Sequence, residues 1–136
     1  MPEHQFVFGF PQIHALATIV SWLYMAHQFT VSYIEDSLAI FRHYKALAEK
    51  AFAQLSDEQL QWRSDEEANS VAQIVKHMAG NMRSRWTDFL TSDGEKPDRN
   101  RDSEFVEAPG TRKDMLRVWN EGWAILFGAL EPFVRC

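Results

Sequence analysis

The sequence predicts an all-α fold, most simply an antiparallel up-and-down helical bundle. Three observations lead there. Four stretches carry the capping-box signature, in which a hydroxyl caps a helix and an acid or amide three residues on reaches back: Ser32/Glu35, Ser56/Gln59, Ser70/Gln73 and Thr111/Asp114. Three of them open long runs whose apolar residues recur at three- and four-residue spacing. No alternating strand pattern persists anywhere in the 136 residues.

Taken in order, Met1 to Phe29 stands apart. Ile13 to Phe29 ("IHALATIVSWLYMAHQF") is almost continuously apolar. It is shorter than the roughly 20 apolar residues that a membrane span needs, and it holds His14, Thr18 and Ser21. It lacks the basic start of a signal peptide, because "MPEHQF" contains Glu3 and no Lys or Arg. Two readings remain open for residues 1–29: upstream sequence ahead of a start at Met25, or an extra helix over Ile13 to about Met25 packed on the core. Because no Gly or Pro lies between Tyr24 and Tyr33, one continuous helix from Ile13 to Leu55 is the alternative geometry.

Residues 30–136 form the bundle proper. The first run spans Ser32 to about Leu55 and stripes Ile34, Leu38, Phe41, Ala48, Phe52 and Leu55 on one face. Ser56 opens only a short turn. The second run, Ser70 to about Leu90, aligns Val71, Ile74, Val75, Met78, Met82, Trp86 and Phe89. The third, Thr111 to about Glu131, aligns Met115, Trp119, Trp123, Leu126, Phe127 and Leu130 before Pro132 stops it. Gly122 and Gly128 inside it mark places where another backbone comes close. Thr91 to Gly110, with two Gly, two Pro and many charges, reads as an irregular loop.

Composition narrows the function classes. A hydrophobic fraction of 46 % with five Trp and ten Phe supports one packed domain. The net charge of −5 opposes nucleic-acid binding, and the absence of a polybasic run opposes docking on an anionic membrane. The single cysteine, Cys136, excludes an intrachain disulfide and fits a cytoplasmic protein.

The chemistry-bearing candidates are few. Of His4, His14, His27, His43 and His77, no two have the i, i+3 or i, i+4 spacing of a helical metal pair. His43 lies opposite its helix's apolar stripe, in solvent. His77, beside Ile74 and Asn81, sits on the flank of the second stripe and reads on spacing alone as a hydrogen-bonded boundary residue. Arg99 and Arg101 stand beside Asp98 and Asp102. They read as a solvated, self-paired charge run, or as a grip on an anionic substrate.

The stretch "EDSLAIFRHYKALAEKAFAQLSDEQLQWR", followed by "NSVAQIVKHMAGNMRSRWTDFLTSDGEKPDRNRDSEF", resembles the DinB-like (YfiT-like) helical bundles, in a bacterial branch catalogued as a domain of unknown function. The resemblance covers about Phe29 to Phe133. It implies a four-helix bundle, often a homodimer, that holds a divalent metal (nickel, zinc or iron) through three histidines. One of these lies on the second helix in a motif like "IVKHMAGN", and two lie on the fourth helix as H-x-x-x-H. It also implies a metal-dependent transfer of a low-molecular-weight thiol, or a hydrolysis. On this pattern His77 matches the second-helix metal ligand, and Arg99 and Arg101 are candidates for substrate binding. The H-x-x-x-H pair has no counterpart here, since the chain closes on "ALEPFVRC" where the family turns into its fourth helix. The resemblance therefore implies a bundle whose fourth helix is absent or replaced by the N-terminal apolar one, with an incomplete metal site. The competing expectation is a non-catalytic helical bundle acting in self-association or partner binding.

Overall fold

The computed structural model describes residues 29–135. The expected helix at Ile13 to Met25, His4, His14, His27 and Cys136 lie outside the described residues. The described part is all-helical. Its long helices are α1 (Tyr33–Phe52), α3 (Val71–Trp86) and α5 (Arg112–Leu130). Two short ones, α2 (Asp57–Gln61) and α4 (Ser103–Val106), sit in the connections, and a 3-10 turn, Glu131–Arg135, follows α5.

All four hydroxyls cap their helices as the sequence predicts, but the reciprocal bond closes at only two of the four sites. Ser32, Ser56, Ser70 and Thr111 each accept a hydrogen bond from the backbone N–H three residues on. At Ser56 and Ser70 the glutamine returns the bond to the cap's own N–H, at 2.7 and 2.8 Å. Ser32 has extended backbone angles and residues 29–32 are non-helical, so α1 starts afresh at Tyr33. That rules out the continuous helix from Ile13 to Leu55. Arg112 closes the other end of α1: its guanidinium donates to the carbonyls of Phe52 and Leu55 and pairs with Asp57 at 2.6 Å. A cation there meets the carbonyls that the last helical turn leaves unpaired.

The core lies where α1, α3 and α5 meet, built on Leu38, Leu60, Val75, Met115, Trp119 and Trp123. Trp119 and Trp123 stack edge-on at 5.4 Å, with Phe52 against the first and Phe41 against the second. Trp119 Nε1 donates to Glu49 at 3.2 Å, and Arg42 reaches Glu131 at 2.8 Å. These pairs run in opposite order along the two helices, so α1 and α5 are antiparallel.

The helix senses do not strictly alternate. α3 crosses α5 at Ala79 and Gly122, and Phe89 beyond the end of α3 meets Phe133 beyond the end of α5 at 6.0 Å. α3 and α5 therefore run in the same sense. The connection 87–111 is long enough to carry the chain back along the whole bundle, about 24 Å for the sixteen residues of α3. This crossover is not wholly irregular: it contains α4, and near its start the chain leaves helical geometry at Thr87 and takes a left-handed φ of 50° at Asp88.

Gly122 permits the crossing. A Cβ there would lie 2.9 Å from Ala79 Cα. Gly128, also in α5, has nothing within 4 Å of a built Cβ and serves no close approach.

Candidate functional site

α3 presents three faces. Ala72, Val75, Ala79 and Met82 turn to the core and are buried. A second face carries Gln73, His77, Gly80 and Ser84, spaced four, three and four residues apart, and the crossover lies on it. Gln73 uses both ends of its amide, accepting from Ser70 N–H at 2.8 Å and donating to the Phe105 carbonyl. Lys76, beside this face, donates to the carbonyls of Ser103 and Glu107 at 2.8 and 2.6 Å. Ser84 donates to the Gly94 carbonyl at 2.7 Å and accepts from Lys96 N–H at 3.1 Å.

Glu104, on α4, is the centre of this polar seam. Its carboxylate is buried against α3, accepting from Arg99 Nε at 3.0 Å and from the Arg99 terminal nitrogen at 3.0 Å. His77 Nδ1 lies 2.8 Å from Glu104 Oε2, and the imidazole stacks on Phe105 at 4.5 Å. An ionised carboxylate only accepts, so Nδ1 carries the proton and a neutral ring keeps Nε2 as an acceptor. Burial pushes the Glu104 carboxyl up. The hydrogen bonds from Arg99 and His77, with their charges, outweigh it and hold the group below the ordinary glutamate value. The Glu104 hydrogen bond likewise outweighs burial at Arg99 and raises its pKa. Gly80 makes room for the carboxylate: a Cβ there would come within 2.7 Å of the carboxyl carbon.

The structure thus brings His77 and Arg99 together through Glu104. The Arg99 side chain is only 6 % exposed and pairs with Glu104 and, at 3.7 Å, with Glu95. It is neither solvated nor paired with its chain neighbours Asp98 and Asp102, as a surface charge run would be. Arg101 is exposed, and only its backbone carbonyl bonds to Glu104, accepting from the Glu104 N–H at 3.1 Å. His43 is exposed, as its position on α1 predicts. Among the described residues, no three His, Cys, Asp or Glu side chains are grouped as a ligand set. His77 supplies one nitrogen, and the described residues do not fit the three-ligand site that the family resemblance implies.

Sequence reasoning missed Glu104, Gly80 and Ser84, and placed Gln73 only as the Ser70 cap partner. A signal for three of them was present: on α3, uncharged residues able to bond or to admit a neighbour recur at helical spacing opposite the apolar stripe. A solvated face would carry charges there.

Two concave regions flank the seam. A mixed-charge cleft of about 900 Å³ lies between α3, the crossover and α5. Its cations are occupied: Arg83 reaches Glu121 at 3.5 Å, Lys96 donates to Ser92 at 2.7 Å, and Arg99 holds Glu104. The other is an apolar groove of about 570 Å³ between α1 and α3, floored by Trp119 and Trp123. Its rim divides the second apolar stripe between core and surface. Ile74 and Met78 are 45 % and 39 % exposed, and across from them on α1 Tyr44 and Leu47 are 58 % and 53 % exposed.

No described helix is long and apolar enough to cross a membrane. Neither a curated protein nor a solved structure matches the chain. A family model described as "Protein of unknown function (DUF1572)" matches residues 28–135, which is most of the chain, and the protein belongs to that family.

Proposed function

We propose that this protein acts as a non-catalytic helical bundle, in self-association or partner binding, with the α1–α3 groove as its working surface. One observation carries the reading: four large apolar side chains, Tyr44, Leu47, Ile74 and Met78, stand exposed together along a groove whose lining has no charged residue. Surfaces of that kind mark interaction sites. Replacing Leu47 and Ile74 together by Lys tests it. If the groove takes an apolar helix in the isolated protein, the double variant loses about 2–4 kcal/mol, whereas two truly solvent-facing substitutions change stability by about 0.5 kcal/mol or less each. A double variant with unchanged melting temperature and unchanged sedimentation coefficient would refute self-association through the groove.

A second reading rests on the DinB-like resemblance and on the His77–Glu104 pair. A metal-ligating histidine commonly donates its other ring N–H to a carboxylate, as His77 does. In that reading His77 Nε2 is one ligand of a divalent nickel, zinc or iron ion, a low-molecular-weight thiol or hydrolysable ester is the substrate, and exposed Arg101 meets its anionic group in the cytoplasm. Titration of the purified, untagged chain with zinc and with nickel tests it. Weak, substoichiometric uptake that is unchanged in His77→Ala counts against it. A tight stoichiometric site lost in His77→Ala establishes it.

A further inference from the structure

We propose that the cleft between α3, the crossover and α5 binds a small molecule carrying one carboxylate or phosphate on an uncharged body, and that Arg99 receives the anionic group. The cleft shares no lining residue with the α1–α3 groove, so this site is separate from the surface on which the groove reading rests.

Arg99 lines the cleft and spends only part of its guanidinium on Glu104. The group has five N–H donors. Glu104 takes two of them, one from Nε and one from Nη2, both at 3.0 Å. Both donors of Nη1 and the second one of Nη2 have no hydrogen-bond acceptor among the described residues. The only other ion partner of Arg99 there is Glu95, whose carboxylate stands 3.7 Å from Nη1, beyond hydrogen-bond reach. Yet the side chain is only 6 % exposed, and buried donors are nearly always paired. One edge of the fork is thus committed, and that commitment holds the other edge, Nη1 with Nη2, in place. The open edge suits a carboxylate or phosphate in the same two-bond manner that the first edge shows with Glu104. A side chain already fixed in this way loses little further freedom when it grips a ligand.

The surrounding charges favour an anion there. Of the cleft's three carboxylates, Glu104 is held by Arg99 and His77, Glu121 pairs with Arg83 and Arg117, and Asp98 lies exposed to solvent. Lys96 is half-buried, and its ammonium bonds only to the Ser92 hydroxyl and the Asp93 carbonyl, both uncharged. Its positive charge is therefore not cancelled by an ion pair among the described residues. The α5 wall supplies Ala124 and Ile125 for the uncharged body. The cleft volume of about 900 Å³ lies within the range of about 300–1,000 Å³ typical of small-molecule sites. Glu95 is the weak competitor: it is exposed, it is shared with Arg85 at 3.4 Å, and an arriving oxyanion displaces only that long contact from Nη1.

Titrating the full chain with benzoate, phenyl phosphate and uncharged benzyl alcohol, followed by amide NMR, tests this. At least one anion should shift the amides of Gly80, Asn100 and Ser103 saturably, and benzyl alcohol should bind at least about tenfold more weakly. Whichever anion binds tighter assigns the ligand as a carboxylic acid or a phosphate ester. Ala124→Glu, an exposed change on the cleft wall, should weaken anion binding about tenfold by placing a like charge beside it. Glu95→Gln should tighten it by about two- to fivefold, the worth of an exposed ion pair. Arg99→Lys keeps the charge but has no second edge, and should also weaken binding about tenfold. If Arg99→Lys does not fold, the other two variants carry the test, since both change exposed side chains. No saturable shift, benzyl alcohol binding as tightly as the anions, or affinities unmoved in Ala124→Glu or in Glu95→Gln would each overturn the proposal.

Discussion

Gly80→Ala measures the polar seam directly. The added Cβ would lie within 2.7 Å of the Glu104 carboxyl carbon, so the carboxylate must move. In an ordinary helix interior the substitution stabilises by about 1 kcal/mol. Here that gain competes with the bonds Glu104 gives up: two from Arg99 and one from His77, at 3.0, 3.0 and 2.8 Å. A hydrogen bond to a charged group is worth about 1.5–3 kcal/mol, and displacing one partner of a buried pair costs about 3–5 kcal/mol. No discount for solvent applies, since the Arg99 and Glu104 side chains are 6 % and 8 % exposed. The net expectation is a loss of about 2–4 kcal/mol, on the order of 10 °C in melting temperature for a chain of this size. Gly128→Ala is the control. It lies in α5 with nothing near its Cβ, and should gain about 0.5–1 kcal/mol. Urea unfolding of the two variants beside the wild type reads the signs. If Gly80→Ala stabilises as much as Gly128→Ala, the carboxylate slides aside without cost, and the seam does not hold the crossover on α3.

Acid should release the crossover. The Glu104 pKa is lowered in the folded state, so its contribution is fully present above the unfolded value of about 4.3 and is lost as pH falls through the lower folded value. Glu58, bonded by the Ser56 hydroxyl, and Asp65, bonded by the Ala68 N–H, also titrate low. The readout must therefore be local: proteolysis within residues 91–110 should accelerate between pH 5 and pH 3 in the wild type, and Glu104→Gln should already cleave fast at pH 5. Equal acid sensitivity in the variant removes Glu104 from the account. Gly122→Ala should cost about 1–3 kcal/mol, because its Cβ meets the Ala79 backbone, which cannot rotate away; unchanged thermal unfolding would mean that the crossing opens freely.

Legibility in the sequence followed the range of the interactions. The helix starts were readable to the residue at Ser32, Ser56, Ser70 and Thr111, because a cap bonds to a group three positions away. Their ends were less so: α3 stops at Trp86 and not near Leu90, since the positive φ at Asp88 has no apolar-pattern signature. The relative sense of α3 and α5 was not readable, because a connection of this length allows either direction. His77 was found and its boundary position predicted. Its partner Glu104 lies 27 residues on, within a charge-rich loop in which no local rule distinguishes the one carboxylate that becomes buried. Arg99 was singled out for its charge and read either as part of a solvated charge run or as a grip on an anionic substrate; only the fold shows that its fork closes on Glu104.

The stretch Ser70 to Trp86 is hard to read because it serves three surfaces, whereas an amphipathic pattern distinguishes two. Gln73 and Ser84 are polar yet buried, and Ile74 and Met78 are apolar yet exposed, so polarity misjudges all four. What separates them is angular position on the helix: Val75 and Ala79 toward the core, Gln73 and Ser84 toward the crossover, Ile74 and Met78 toward the groove. His77 stands at the border of the last two, its Nδ1 committed to Glu104 while its neighbours Ile74 and Met78 rim the apolar side. Because one ring nitrogen anchors the crossover, substitutions at His77 act on the seam first, and a phenotype there is not evidence about the groove. Ile74 and Leu47 touch the groove and have no hydrogen bond to lose, so they isolate it. The two surfaces of α3 can therefore be tested independently, although they lie less than one helical turn apart.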